Sequence, residues 1–109
     1  METELRDPDA VVLLCEREGR PLGLCMARVD RAPPIHREAV RAEIGELFVR
    51  EEARRAGVGR ALVEAALDWV RGRGVDSVIV RVYEGNASGR KFWRSLGFGA
   101  LMDVLERRL

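Results

Sequence analysis

The residues with the clearest chemical potential in this chain are Gly57 and Gly59. They are set among Arg54, Arg55 and Arg60 in the run E-I-G-E-L-F-V-R-E-E-A-R-R-A-G-V-G-R-A-L of residues 43–62. Glycines spaced this way where a helix begins let successive backbone N–H groups converge, and the helix dipole adds positive potential at the same point. A phosphate is the ligand such a turn holds best. The pattern Arg54-x-x-Gly57-x-Gly59 is unspecific by itself, because glycines before helices also serve as plain turn residues. The elements around the turn must supply the context.

Those elements are well punctuated. Residues 43–49 form a strand whose apolar content is Ile44, Leu47 and Val49. After the glycine turn, Val58, Ala61, Leu62, Ala65, Ala66, Trp69 and Val70 recur at helical spacing, with Arg60, Glu64, Asp68 and Arg71 on the opposite side. Gly72 and Gly74 end that helix. Residues 77–83, S-V-I-V-R-V-Y, have the β-branched content of a buried strand. A strand reached by a helical crossover runs parallel to its predecessor, so residues 43–83 make a β-α-β unit. Asn86 caps a second short helix with Phe92, Trp93 and Leu96 on its apolar side, and Gly97 ends it.

Upstream, residues 10–16 and 22–29 are apolar runs separated by the turn-prone R-E-G-R-P, which predicts a β-hairpin. Residues 1–9 are a charged lead-in. Residues 30–42, with Pro33-Pro34 and several charges, form a surface connection in which E-A-V-R can take a helical turn. Residues 98–109 are expected to form one last strand, bent near Asp103. The result is an α/β chain, a mixed α+β sheet in one domain of 109 residues, with no internal repeat.

Composition narrows the partners. The chain has 19 Lys plus Arg against 18 Asp plus Glu, a net charge of +1, so it has no general attraction to nucleic acid or an anionic membrane. No apolar run approaches the roughly 20 residues of a membrane span, and the first residues are acidic where a signal peptide is basic and then apolar. A cytoplasmic protein without nucleic-acid or membrane partners is expected. Cys15 and Cys25 read as buried small hydrophobes rather than a disulfide or a metal pair. His36 is the sole histidine, which argues against a His-based metal centre or a Ser-His-Asp triad, and no metal is expected.

With both punctuated blocks in view, the chain resembles the GNAT superfamily, which moves an acyl group from acyl-coenzyme A to an amine. The family's central motif is an L-x-V strand followed after a short turn by [Q/R]-x-x-G-x-[G/A], matched here by Leu47-Phe48-Val49, Arg54, Gly57 and Gly59. Its later motif, N-x-x-A-x-x-F-Y-x-x-L-G-F, is matched by Asn86, Phe92, Leu96, Gly97 and Phe98, with Gly89 for the alanine and Trp93 for the tyrosine. Two spaced motifs in order are far more specific than either alone. The resemblance spans residues 10–109 and implies the GNAT-like acyl-CoA N-acyltransferase fold without its usual N-terminal strand and helices.

The resemblance also implies roles. Backbone N–H groups of Arg55, Ala56, Gly57, Val58, Gly59 and Arg60 would hold the pyrophosphate of acetyl-CoA, the co-substrate, with the arginines adding charge. A Cβ at Gly57 or Gly59 would obstruct the phosphate or strain the backbone. The strands at 43–49 and 77–83 would splay apart, freeing the edge of Leu47, Phe48 and Val49 for the pantetheine arm, and an N–H near Phe48 or Val49 would polarise the thioester carbonyl. Asn86 and Trp93 would lie along the cofactor. Amine attack needs a base, for which Glu43 and Glu46 are the candidates. Strand alternation predicts that they point to opposite faces, so at most one faces the cleft.

Trp93 stands where the family's tyrosine protonates the departing thiolate, and an indole N–H does not readily release a proton. Tyr83 or Ser88 is the candidate substitute, and a thiolate with a pKa of about 8.5 also tolerates protonation by water. The missing N-terminal helices, which wall the acceptor site in the family, would leave an apolar sheet face open, so a homodimer or the 30–42 connection is expected to cover it. The leading reading is an N-acetyltransferase acting on a primary amine. The alternative is a non-catalytic acyl-CoA sensor or interaction module. Unrelated nucleotide binding fares worse, since the chain lacks both the P-loop pattern and G-x-G-x-x-G.

Overall fold

The computed structural model describes residues 2–4, 7–30 and 40–109, the first three as backbone alone. Five strands make one sheet in the order β1-β2-β3-β4-β5: β1 Glu2–Glu4, β2 Ala10–Arg17, β3 Arg20–Asp30, β4 Arg41–Val49 and β5 Val78–Val80. The first four are antiparallel in sequence, and β4 and β5 are parallel, as the β-α-β pattern requires. β2 and β3 form the expected hairpin. Its loop is Glu18-Gly19, both at positive φ (52° and 79°), the backbone that matches the twist of the flanking strands.

A single long helix, α1 Val58–Gly72, lies against β3, β4 and β2 on one face of the sheet. The core between them comprises Val11, Leu13, Cys25, Ala27, Val29, Ala42 and Ile44 from the strands, and Val58, Leu62, Val63, Ala66, Trp69 and Val70 from the helix. The buried arc of α1 is centred near Ala66, so Val63 is fully buried while Ala61 and Ala65, predicted on the apolar side, are exposed. Complete burial of side chains such as Val11, Val63 and Val70 stabilises the fold by roughly 1.5–3 kcal/mol each. Gly23 sets how closely the helix approaches: a Cβ there would lie 2.9 Å from Leu62 Cδ1 and 2.9 Å from the Phe48 carbonyl oxygen.

Both helices stop at glycine. Gly74 (φ 75°) follows α1, with the Val75 N–H reaching back to the Val70 carbonyl. Gly97 (φ 92°) follows α2 Ala87–Ser95, with the Phe98 N–H bonded to the Trp93 carbonyl. These are the glycine-terminated ends expected from sequence.

Three local expectations are corrected. Residues 2–4 are not merely a lead-in, since Glu2, Thr3 and Glu4 pair with Leu13, Val12 and Val11. An open strand edge recruits backbone regardless of side-chain polarity. The 77–83 strand is confined to Val78–Val80 because β4 diverges from it after Ile44 and no further ladder can form. Residues 98–109 form no strand; Leu101, Met102, Val104, Leu105 and Leu109 are exposed. An apolar run becomes a strand only where a neighbouring edge takes its hydrogen bonds, and none does so here among the described residues. Most of the 30–42 connection, including His36 and the E-A of E-A-V-R, lies outside the described residues, while Arg41 and Ala42 open β4.

Candidate functional site

The site begins where two strands part. β4 and β5 pair only through Ala42–Val78, Glu43–Ile79 and Ile44–Val80, and β4 then continues to Val49 without β5 beside it. The free edge can be assigned residue by residue. The Arg50 N–H bonds the Leu22 carbonyl on β3, and backbone direction alternates along a strand. Phe48 therefore turns its main-chain groups toward β3, where it pairs with Leu24, and Leu47 and Val49 turn theirs toward the opening. Of the two residues expected to present an N–H, Val49 does so and Phe48 does not. The Phe48 side chain is 55% exposed on the sheet face away from α1.

From Val49 the chain passes through a short 3-10 turn, Glu51–Ala53, into the glycine turn. Arg54 folds back, its Nε donating to the Val49 carbonyl at 3.3 Å, which brings the guanidinium to the mouth of the opening. Arg55 and Gly57 both take positive φ (68° and 81°), and Gly57 is the N-cap of α1 with no side-chain cap hydrogen bond. The first helical bond is from the Ala61 N–H to the Gly57 carbonyl. Helix geometry therefore leaves the N–H groups of Val58, Gly59 and Arg60 without a preceding carbonyl in the helix. No acidic residue lies in the first turn, while Arg54, Arg55 and Arg60 are close in sequence. The arrangement is an exposed, positively biased fan of donors.

The two glycines serve different ends. A Cβ on Gly57 would meet nothing within 4 Å, so its requirement is conformational and the space above it is open. A Cβ on Gly59 would lie 3.4 Å from the Phe92 ring and 3.6 Å from Val49 Cγ2. Gly59 is thus where α2 packs onto the start of α1. Trp93 lies edge-to-face between Phe92 and Phe98, with centroids at 5.1 and 5.2 Å. The Asn86 Oδ1 accepts from the Gly89 N–H at 2.9 Å and from the Ser88 hydroxyl at 3.3 Å, so its carboxamide oxygen caps α2. A Cβ on Gly89 would press on the Asn86 carboxamide, which would have to shift to admit it.

The expectation that Glu43 and Glu46 oppose each other is overturned. Ala27 pairs with Ile44 and Met26 with Glu46, which leaves Gly45 as an extra residue in β4. This β-bulge breaks the alternation. Ile44 and Leu47 both contribute to the α1 side, so Glu43, Glu46 and Phe48 all point to the open face, beside Leu24, Met26 and Arg28 of β3. A glycine between two glutamates in an alternating strand is the signal from which the bulge could have been read.

The sequence profile described as the acetyltransferase (GNAT) family matches residues 1–98. The chain belongs to this family. A mycothiol acetyltransferase of Thermobispora bispora is 38% identical over 106 residues, covering 94% of this GNAT chain and 34% of that protein. An uncharacterized N-acetyltransferase of Methanocaldococcus jannaschii, MJ1207, is 33% identical over 93 residues, covering 85% of this chain and 40% of its own length. The GNAT chain thus spans about a third of the length of the curated relatives it matches. In three dimensions it superposes on a mutant of the BH1408 protein of Bacillus halodurans with a TM-score of 0.86 at 24% identity, covering 95% of this chain and 68% of that one. It superposes on the aminoglycoside acetyltransferase AAC(6')-Iy, solved with a bisubstrate analogue, with a TM-score of 0.83 at 19% identity, covering 95% and 71%. At these identities the structural likeness establishes the shared fold.

Other features of the GNAT chain lie around or away from this opening. Tyr83 is 91% exposed beyond the end of β5. Two grooves lie along α1 beside the end of α2, the roomier at about 600 Å³ and lined in part by Leu67, Val70, Val75, Val78, Leu96 and Phe98. Among the described residues no His, Cys, Asp or Glu cluster could hold a metal, and no helix is long and apolar enough to cross a membrane. Cys15 and Cys25 are free thiols on strands, and burial pushes the Cys25 thiol from 9.0 up to about 11. The sequence reading missed Arg81, whose guanidinium forms an ion pair with the Glu43 carboxylate.

Proposed function

We propose that this domain binds acetyl-CoA at the opening between β4 and β5 and transfers its acetyl group to a primary amine. The observation that carries the reading is the continuity of three features. The free edge of Leu47 and Val49, the positive-φ turn at Arg55 and Gly57, and the open N-terminus of α1 follow one another without interruption. An extended amide-bearing arm ending in a pyrophosphate is the ligand that would use all three. The edge matches the pantetheine amides, and the N–H groups of Val58, Gly59 and Arg60, with Arg54 and Arg55, match the phosphates. Ala56 joins the two halves of the turn.

In the reaction, the ammonium of the acceptor loses a proton to a carboxylate on the open face, Glu43 or Glu46, directly or through water. The freed lone pair forms a C–N bond to the thioester carbonyl carbon, and the developing oxyanion is stabilised by a β4 edge N–H, best placed at Val49. Collapse breaks the C–S bond as the attacking nitrogen gives its second proton to water, and the thiolate takes a proton from water or from the exposed Tyr83 hydroxyl, which regains one from solvent. Trp93 serves as an aromatic spacer that sets the angle of α2, since its indole does not supply that proton. The relatives named for mycothiol and aminoglycosides make small polyhydroxylated amines the first acceptors to try. Association as a homodimer through the open sheet face, in a cytoplasmic setting, completes the reading. Light scattering that gives a monomer mass over a wide concentration range would refute the dimer.

The test is thiol release from acetyl-CoA in the presence of an amine panel. Release above background that disappears in Gly57→Glu is expected. Calorimetric binding of acetyl-CoA with no release from any amine would favour the sensor reading, and absence of binding would defeat both.

A further inference from the structure

The open face of β4 carries two carboxylates in different states. The Glu43 side chain is 16% exposed and is engaged by Arg81, which follows β5 directly; Glu46 is exposed and has no ion pair among the described residues. Their positions along the strand differ as well. Glu43 pairs with Ile79 below the point where the strands part, whereas Glu46 lies past the Gly45 bulge, alongside the free edge. The ion pair therefore bridges β4 and β5 at their last rungs. Among the described residues of β3 and β4, the other charged groups on this face are Arg28, Asp30 and Arg41, while α1 lies behind the sheet.

We propose that Arg81 is a positioning residue which holds Glu43 as a carboxylate across the β4–β5 junction, withholding it from proton transfer and leaving Glu46 to accept the proton of the acceptor ammonium. The physical basis is the asymmetry of the two environments. The Arg81 guanidinium occupies the carboxylate oxygens of Glu43 and compensates their charge, so they are not free to take a proton from an incoming ammonium. Glu46 lacks that partner and stands beside the opening the thioester would occupy. The bulge is what makes this division possible, because with Gly45 paired in regular alternation the second carboxylate would point to the α1 side.

This inference rests on the acetyltransferase reading, and its test separates the two. With an amine identified as acceptor, Glu46→Gln is expected to lower kcat/KM about 100-fold, in the range of a lost general base, and Glu43→Gln less than about threefold. In the Glu46→Gln background, Arg81→Gln releases Glu43 and is expected to restore activity about tenfold, whereas Arg81→Lys, which keeps the cation, restores none. Equal losses in Glu43→Gln and Glu46→Gln, or no gain in a double variant that still binds acetyl-CoA by calorimetry, would overturn the proposal. A readout independent of turnover is the set of Arg81 guanidinium signals in ¹⁵N spectra. They are expected to be slowed in exchange in the native chain and in Glu46→Gln, and to lose that protection in Glu43→Gln; retained protection in Glu43→Gln would overturn it. Absence of thiol release from the native chain would defeat the acetyltransferase reading alone, and the arginine signals would still decide which carboxylate Arg81 holds.

Discussion

Gly57→Ala isolates the backbone contribution of the cradle. Gly57 has φ 81° and ψ 7°, and its Cβ would meet nothing within 4 Å, so the substitution adds no clash inside the protein. Its cost is conformational. A non-glycine residue in the left-handed region is disfavoured by roughly 1–2 kcal/mol, and the stiffer unfolded chain returns about 0.4–1 kcal/mol. The net is about 1 kcal/mol, or a fall in Tm of about 4–8 °C for a domain of this size. Asparagine tolerates the same backbone, so Gly57→Asn is expected to unfold at a higher temperature than Gly57→Ala. Acetyl-CoA binding is expected to respond differently, since either side chain enters the open space over the turn. Both variants should bind at least about tenfold more weakly, a loss of about 1.4 kcal/mol. Circular dichroism melts and titration calorimetry measure the two effects. An unchanged Tm in Gly57→Ala, or Asn melting below Ala, would refute the conformational account. Native affinity in both variants would show that no phosphate uses this turn.

Gly23→Ala is expected to cost about 1–3 kcal/mol in chemical denaturation, because its Cβ would press on a backbone carbonyl and on Leu62, and neither side of that contact can move freely. Asn86→Ala should cost about 1 kcal/mol by uncapping α2, with Asn86→Asp retaining most of the stability; equal losses would argue against the cap. The raised Cys25 thiol links stability to alkaline pH. Between pH 9 and 11 the unfolded chain has lost this proton while the folded chain keeps it, so the folded state loses about 2–3 kcal/mol as pH rises through that window. Urea titrations at pH 8 and pH 10.5 should show the decline in the native chain and a flatter response in Cys25→Ala. Cys15 should react with a thiol reagent well before Cys25, which is wholly buried.

Much of the architecture was legible because local chemistry and tertiary structure agree. The 3.6-residue stripe of α1, the Glu18-Gly19 turn, the Asn86 cap and the glycines at 57, 74 and 97 each act over a few residues, and each appears as read. Errors arose where the outcome depended on a distant edge. Residues 2–4 became a strand because β2 offered an edge, and residues 98–109 did not because, among the described residues, no strand pairs with them. The length of β5 followed from the divergence of β4, which no residue within 77–83 encodes. In the site, the turn at Arg54, Gly57 and Gly59 is local and legible, whereas the packing of Phe92 against Gly59 depends on where α2 lies.

By itself the sequence determined the family, the β-α-β unit and the glycine turn, since motif spacing and helical period survive any arrangement of the remaining chain. Only the tertiary structure decided which atoms face the opening. The register of β4 against β3 inserts Gly45 as a bulge, and a one-residue change in register reverses the face of every side chain beyond it. Glu46 is thereby brought to the same surface as Glu43, and the ion pair with Arg81, thirty-eight residues away in sequence, then makes the two carboxylates unequal. Pairing between strands is a long-range property, and the chemistry of this face depends on it.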